Sequence, residues 1–371
     1  MVKRTFQKIG VEVCPLGFGC MRLPVRADKK IDRPEAIRMI RSAIDRGVNY
    51  VDTAYYYHDG ESEEVLAQAL ADGYRERVYL ATKMPIYDLT QDVTFEMRLE
   101  HQLERLNTDH IDFYLLHCLN HDLWQNKVKK FDALESMKKA RAEGKIQYLG
   151  FSFHDDCALF KEIIDAFDWD FCQIQFNYVD TDYQAGLEGL RYVAQKGISC
   201  VVMEPLRGGR LADSIPPLVK NELPQNKNHV ELALDFVWDR PEVALLLSGM
   251  STQQQVDDNL TYASRSAAGM LTEEERAAFA RAAEVYHTMP LVACTGCRYC
   301  MPCPFGVSIS DCFSLYNATV TRGKKKAGEA YAALTGRAEL CRKCRQCVSA
   351  CAQHIDIPAE LEKVKECFTE Q

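Results

Sequence analysis

Asp52, Tyr57, Lys83 and His117 have the types and the spacing to manage a proton at an oxygen atom. Asp52, Lys83 and His117 each close an apolar, strand-like run: NYVD (49–52), VYLATK (78–83) and IDFYLLH (111–117). Tyr57 follows Asp52 by five positions, as the last of three tyrosines that begin at Tyr55. A tyrosine can give a proton to a developing alkoxide when its acidity is brought toward neutrality. A neighbouring ammonium does this by favouring the phenolate. Lys83 can supply that charge, Asp52 can hold the lysine charged and in place, and His117 can hydrogen-bond a carbonyl oxygen. One polar residue at a strand end is usually a structural cap. Three converging strand ends, with Tyr57 in the loop after the first, make a candidate site for carbonyl chemistry.

Convergence depends on the elements that carry these residues. Besides the three runs above and LGFGC (16–20), strand-like runs occupy 145–152, 171–176, 198–203 and 243–248. Helical spacing of apolar residues marks 33–46, 63–72, 94–106, 127–143, 157–167, 183–195, 229–238 and 253–262. Eight strand–helix units over roughly 250 residues predict a (β/α)8 TIM barrel, whose chemistry sits at the C-terminal strand ends. An open doubly wound sheet would carry a Gly-rich phosphate turn after its first strand, and LGFGCM lacks one. Residues 3–13 read as an N-terminal hairpin. Thr272 and Glu275 form a capping box that starts a helix to His287. Met289-Pro290 ends that pattern, so the expected domains are 1–288 and 289–371.

The cysteines are unevenly placed. Six of sixteen are scattered from Cys14 to Cys200, and ten follow residue 290. Eight of these form two runs, Cys294, Cys297, Cys300, Cys303 and then Cys341, Cys344, Cys347, Cys351. In a reducing compartment such runs are metal or cluster ligands, not disulfides. Thiolates suit zinc or iron–sulfur clusters. Triplets at this spacing followed by a fourth cysteine match two-cluster ferredoxins, where the fourth cysteine ligates the other cluster. One [4Fe–4S] cluster would take Cys294, Cys297, Cys300 and Cys351, and the other Cys303, Cys341, Cys344 and Cys347. The departures are a shorter last spacing in the first run and Ala352 in place of proline after the second. Structural zinc, the alternative, usually uses pairs of cysteines. Cys312 and Cys367 lie outside the runs and read as small core residues.

A formal net charge of -8 argues against a nucleic-acid partner. No apolar run reaches the roughly 18 residues of a membrane span, and MVKRTFQKIG has no apolar signal core. The expected location is the cytoplasm.

NYVDTAYYYHDGESE, LATK and IDFYLLH, with the strands in the same order over residues 3–262, resemble the signature segments of the aldo-keto reductases. With VACTGCRYCMPCPFGVSI, the whole chain resembles a branch of that family carrying a C-terminal ferredoxin-like iron–sulfur domain. The resemblance implies a catalytic tetrad of Asp52, Tyr57, Lys83 and His117. It implies that Ser152 in LGFSFH, and Gln175 and Asn177 in QIQFNY, contact the carboxamide of a nicotinamide. Met203, Pro205 and Leu206 stand where many members have an aromatic before Ser-Pro-Leu, so Met203 would cover the nicotinamide ring. SGMSTQQQVDDNL (248–260) is similar to the segment around the adenosine end. Gly249, Gln255 and Asn259 would therefore lie there, with Asn259 at the adenine. Gln253 to Gln255 occupy positions where many members place an arginine. A 2′-phosphate favours a guanidinium, so the expectation is weak discrimination between NADH and NADPH, or a preference for NADH.

Together these readings describe an oxidoreductase acting on a small carbonyl or alcohol substrate, coupled to NAD(P)H, to two [4Fe–4S] clusters, or to both. A nicotinamide passes a hydride and a cluster passes single electrons, so coupling them calls for an intermediary such as a flavin; no flavin motif is present. An electron-transfer protein is a further candidate partner. The competing class is a nucleotide-binding redox sensor or electron-transfer protein with structural or regulatory clusters, which would need no acid–base tetrad. Loops 24–32, 118–127 and 206–228 would shape the substrate pocket.

Overall fold

A computed structural model describes residues 2–212 and 214–369. Among these residues ten strands form two sheets. β1 (Arg4–Phe6) and β2 (Val11–Val13) make an antiparallel hairpin, as expected from 3–13. The other eight are β3 (Leu16–Gly19), β4 (Tyr50–Asp52), β5 (Tyr79–Met84), β6 (Ile111–Leu119), β7 (Ile146–Phe153), β8 (Phe171–Gln175), β9 (Ser199–Met203) and β10 (Val243–Gly249). They close into a parallel barrel in the order β10-β3-β4-β5-β6-β7-β8-β9. All eight strands expected from the sequence are present.

The hairpin fills the N-terminal end of the barrel. Phe6, Val11 and Val13 join one apolar cluster with Tyr50, Phe113 and Phe171 of the strands. Burying a side chain of this size contributes about 1.5–3 kcal/mol. With that end closed by apolar packing, polar side chains are left to the opposite, C-terminal end.

The helices between strands begin where capping chemistry predicts. Asp32, Thr94, Asp156 and Thr252 each accept a backbone N–H from their own first turn. The expected helix over 127–143 is divided. A wide π turn covers Trp124–Lys129, Asp132 takes a left-handed φ of 48°, and a regular helix resumes at Ala133–Ala142. Within the wide turn the Trp124 indole is buried and donates to Glu162 at 2.8 Å.

The chain packs as two compact units. One comprises 1–205 and 234–271, the other 206–233 and 272–371. The helix Glu273–His287 has the expected capping box at Thr272 and Glu275. It groups with the second compact unit. Within that unit Arg281 pairs with Glu222 of the helix Pro217–Glu222, in a stretch that read as loop. The second unit has its own core of Val292, Val307, Phe313, Tyr331, Leu361 and Val364, with Cys312 fully buried among them. Among the described residues no helix is long and apolar enough to cross a membrane.

Candidate active site and cysteine cradle

Parallel register places Asp52 opposite Gly19 and Ala81, and Lys83 opposite Leu115, two residues before His117. The strand ends therefore deliver the expected residues to one end of the barrel. The Lys83 ammonium donates to both oxygens of Asp52, at 2.7 and 2.8 Å, and to the Thr53 carbonyl at 2.8 Å. It stands 3.4 Å from the Tyr57 hydroxyl. The His117 ring meets that of Tyr57 edge-on at 6.1 Å. Asp52 and Lys83 are both buried. Burial raises the Asp52 carboxyl, against the pull of Lys83. Burial pulls the Lys83 ammonium down, but the Asp52 and Tyr57 charges and the hydrogen bonds to both together outweigh it, and the net shift is upward. With both carboxylate oxygens bound to one ammonium, the pair is ionic.

The three tyrosines separate sharply. The Tyr55 hydroxyl is engaged by Arg98 at 2.9 Å and His101 at 2.7 Å, in the packing of the helix Phe95–Leu106. Tyr56 is exposed and donates to Asp88 at 2.6 Å. Burial and the Asp88 carboxylate push its phenol up to about 12. Of the three, Tyr57 is the one that reaches the ammonium. Positive φ at His58 and Asp59 turns the loop immediately behind it, and His58 Nε2 accepts the Leu23 N–H at 3.1 Å.

A second layer fixes the lysine and has no signal in the sequence. The Gln102 amide donates to the Lys83 carbonyl at 3.1 Å and to Glu63 at 2.6 Å. Thr82 donates to the same Glu63 oxygen at 2.7 Å, and Arg105 pairs with Glu63 at 3.3 Å. Removing one member of such a network leaves buried polar groups unpaired. Tyr87, also absent from the sequence reading, stacks on Tyr56 at 5.8 Å and meets His117 at 6.2 Å, forming an aromatic wall beside the tetrad. Its trace in the sequence is an aromatic shortly after a strand-closing lysine.

His117 is held neutral. Burial, then the charges of Lys83 and His154, lower its pKa well below the ordinary 6.5. A neutral imidazole can share one hydrogen bond with a substrate oxygen without competing for the role of acid. Unfolded His117 takes up a proton below about 6.5 and folded His117 does not. It therefore removes stability as pH falls below that value. Imidazole 15N spectra at pH 6 should show His117 neutral; a protonated His117 at that pH would overturn this assignment.

The expected cofactor positions occupy the ends of later strands. Ser152 is buried on β7, where its Oγ accepts the Cys118 N–H at 2.7 Å and keeps its own proton to donate. Gln175 closes β8 and donates to Asp180 at 2.8 Å. Asn177 is committed to its own loop, donating to Asp180 and Glu204 and accepting from the N–H groups of Val179 and Asp180. Met203 ends β9, and its sulfur lies 3.5 Å from the Gln173 amide. Pro205 is buried and ends the first stretch of the barrel unit; Leu206 opens the second unit. Gly249 ends β10, and a Cβ there would meet the Arg22 side chain at 3.0 Å. Gln255 accepts the Ser251 N–H at 2.7 Å, and Asn259 donates to Ser248 at 3.1 Å. Gln253 accepts from Arg38 at 3.0 Å.

In the second unit, Cys294, Cys297, Cys300 and Cys351 line one enclosed space with Ser310 and Phe313. Burial and the neighbouring Cys297, Cys294 and Cys351 push the Cys300 thiol up to about 12. Around Cys347 the neighbouring thiols are Cys341, Cys344 and Cys303. The fourth cysteine of each run thus stands with the triplet of the other. Backbone N–H groups of Gly296 and Lys343 point at the sulfurs of Cys294 and Cys341, both at 3.4 Å. Such donors stabilise thiolates.

Comparison with known proteins agrees with this geometry. Residues 15–275 match the model of the aldo/keto reductase family, and residues 293–355 that of the 4Fe-4S dicluster domain. The chain is 26% identical to the L-galactose dehydrogenase of Arabidopsis thaliana, over 69% of this chain and 86% of that protein. The holo form of an aldo-keto reductase from Bacillus halodurans superposes with a TM-score of 0.65 at 27% identity, covering 76% of this chain and 96% of that one. An aldo-keto reductase from Klebsiella pneumoniae in complex with NADPH does so at 0.62 and 26%, covering 76% and 95%. The chain belongs to the aldo/keto reductase family of oxidoreductases and carries a C-terminal 4Fe-4S domain.

Proposed function

We propose that this protein reduces a small carbonyl substrate, or oxidises the corresponding alcohol, with Tyr57 as general acid and a nicotinamide as hydride carrier. The observation that carries this reading is the Lys83 ammonium, fixed between both oxygens of Asp52 and 3.4 Å from the Tyr57 hydroxyl. A phenol so placed can release its proton as charge develops on the substrate oxygen. Neutral His117 orients that oxygen, and Tyr56 and Tyr87 exclude water from one side.

A bound nicotinamide supplies the hydride. Ser152 and Gln175 would hold its carboxamide, with Asn177 supporting their loop. Met203 and Pro205 would cover its ring. Gly249, Gln255 and Asn259 would receive the adenosine end, beside the first turn of the helix Gln253–Ala263, whose N–H groups suit phosphate. Arg22 and Arg38 are guanidinium groups near that end. The bound NADPH of the Klebsiella relative makes NADPH a candidate here.

The two cysteine sets would hold two [4Fe–4S] clusters with crossed fourth ligands, supported by the neighbours of Cys300 and Cys347. When bound, clusters store and pass single electrons. An electron-transfer protein is the partner this implies. The stretch 289–371 would depend on its clusters more than the barrel does.

The test is anaerobic steady-state kinetics with a panel of aldehydes and both nicotinamides. Turnover is expected with each, with kcat/KM differing by less than a hundredfold, about 2.7 kcal/mol. A larger preference for NADPH would mean that Arg22 or Arg38 reads the 2′-phosphate. Tight nicotinamide binding without turnover would sink the enzymatic reading and leave the redox sensor.

A further inference from the structure

The cradle lined by Cys294, Cys297, Cys300 and Cys351 contains a polar group that neither ligation nor protein packing uses. Ser310, in the first turn of the helix Ile309–Arg322, lines this space. Its Oγ is buried and has no hydrogen-bond partner among the described residues. The rest of the lining is Ile309, Phe313, Ile355 and Ile357 on its apolar side, which disfavours added charge, with Thr295, Arg298 and Gln353 beside them. An unpartnered hydroxyl is costly there unless a sulfur acceptor satisfies it.

A second polar group reaches the same cradle from the loop that follows β9. Arg210 donates from Nε to the Cys294 carbonyl at 2.5 Å. The loop is seated tightly on this segment. Gly208 has a φ of 65°, and a Cβ on it would come within 2.0 Å of the Thr295 carbonyl. Arg207 beside it lies over the Tyr286 ring at 5.0 Å. The glycines of PLRGG thus bring a fixed positive charge against the backbone of a ligand cysteine.

We propose that Ser310 and Arg210 are positioning residues that raise the reduction potential of the cluster ligated by Cys294, Cys297, Cys300 and Cys351, and leave the other cluster unaffected. This rests on the two-cluster reading above. Reduction adds one electron and one negative charge, with no bond made or broken. Against the apolar side of the cradle that charge is disfavoured. A hydroxyl donating to sulfur and a cation near the ligand both stabilise the more negative state, and hydrogen bonds and net charge are among the factors that set cluster potentials. The set of Cys303, Cys341, Cys344 and Cys347 includes the exposed Cys344, so water can perform the same service there.

The test uses the full chain prepared without oxygen: wild type, Ser310→Ala, Ser310→Thr, Arg210→Gln and Arg210→Lys. Iron and sulfide are measured first. Dithionite titrations with mediators, followed by electron paramagnetic resonance, then give both midpoints. With full iron, Arg210→Gln should lower one midpoint by a tenfold change in the one-electron equilibrium, about 59 mV, and leave the other in place. Ser310→Ala should lower the same midpoint by less, while Ser310→Thr and Arg210→Lys should stay near wild type. Unchanged midpoints in either Ser310→Ala or Arg210→Gln at full iron, or equal movement of both clusters, would overturn the proposal. So would loss of iron in Ser310→Ala, because a tuning hydroxyl is dispensable for assembly. Wild type with zinc and no sulfide would remove the two-cluster reading itself, at the metal analysis, before any titration.

Discussion

Tyr57→Phe should lower kcat for carbonyl reduction by about 10²–10⁴-fold, the range for losing a positioned general acid, while nicotinamide affinity stays nearly unchanged. The phenol proton is needed only as charge develops on the substrate oxygen, so its loss falls on the transition state and not on binding. The neighbouring tyrosines provide the controls. Tyr56 donates a hydrogen bond to Asp88, whose charge opposes ionisation. Tyr55 is bound by Arg98 and His101 away from the ammonium. Tyr56→Phe should therefore keep most of kcat, and Tyr55→Phe should show mainly a loss of stability. Activity that survived Tyr57→Phe and vanished in Tyr56→Phe would transfer the acid to Tyr56. Lys83→Met should be as damaging as Tyr57→Phe, with an added loss of stability. It removes the charge that favours the phenolate and leaves Asp52 buried without its partner; breaking such a pair typically costs about 3–5 kcal/mol.

Cys351→Ala should remove about half of the iron and sulfide, although Cys351 lies far along the chain from Cys294, Cys297 and Cys300. These four line one space. An alanine would leave three thiolates for a cluster that needs four. Because ligation and folding are coupled, thermal unfolding of the second unit should also shift downward. The Cys303, Cys341, Cys344 and Cys347 set should keep its cluster, and the barrel, with its own core, should keep its circular dichroism. Full iron in Cys351→Ala would sink the crossed arrangement. Loss of barrel structure with the iron would show that barrel and cysteine unit unfold as one. The distinction matters because the helix Glu273–His287 and residues 206–233 pack with the cysteine unit.

Much of this architecture is legible in the sequence. The barrel follows from eight alternations of strand and helix patterns, because apolar periodicity reports local backbone preference and connection rules leave few ways to assemble such units. The cysteine runs follow from spacing alone, since ligands two residues apart on a tight loop can share one cluster. Tyr57 is distinguished from its neighbours only through the family's five-residue spacing from Asp52. Nothing in YYY separates three identical side chains.

Tertiary structure decided the rest. The directions of the three tyrosines depend on left-handed turns at His58 and Asp59 and on distant partners at Lys83, Asp88 and His101. The support of Lys83 by Glu63, Thr82 and Gln102 joins two helices and a strand that no periodic pattern links. The helix expected over 127–143 starts late, after a wide turn and a left-handed Asp132, and in that turn buried Trp124 bonds to Glu162, a partner 38 positions away. Pro205 and Leu206 read as part of a nicotinamide site; from Leu206 onward the chain groups with the second unit, where Gly208 and Arg210 meet Thr295 and Cys294. Local sequence determined which elements form and which residue types stand at their ends. Where each side chain points, and what it meets, was set by packing between segments remote in sequence, since burial requires every polar group to find a partner wherever the fold supplies one.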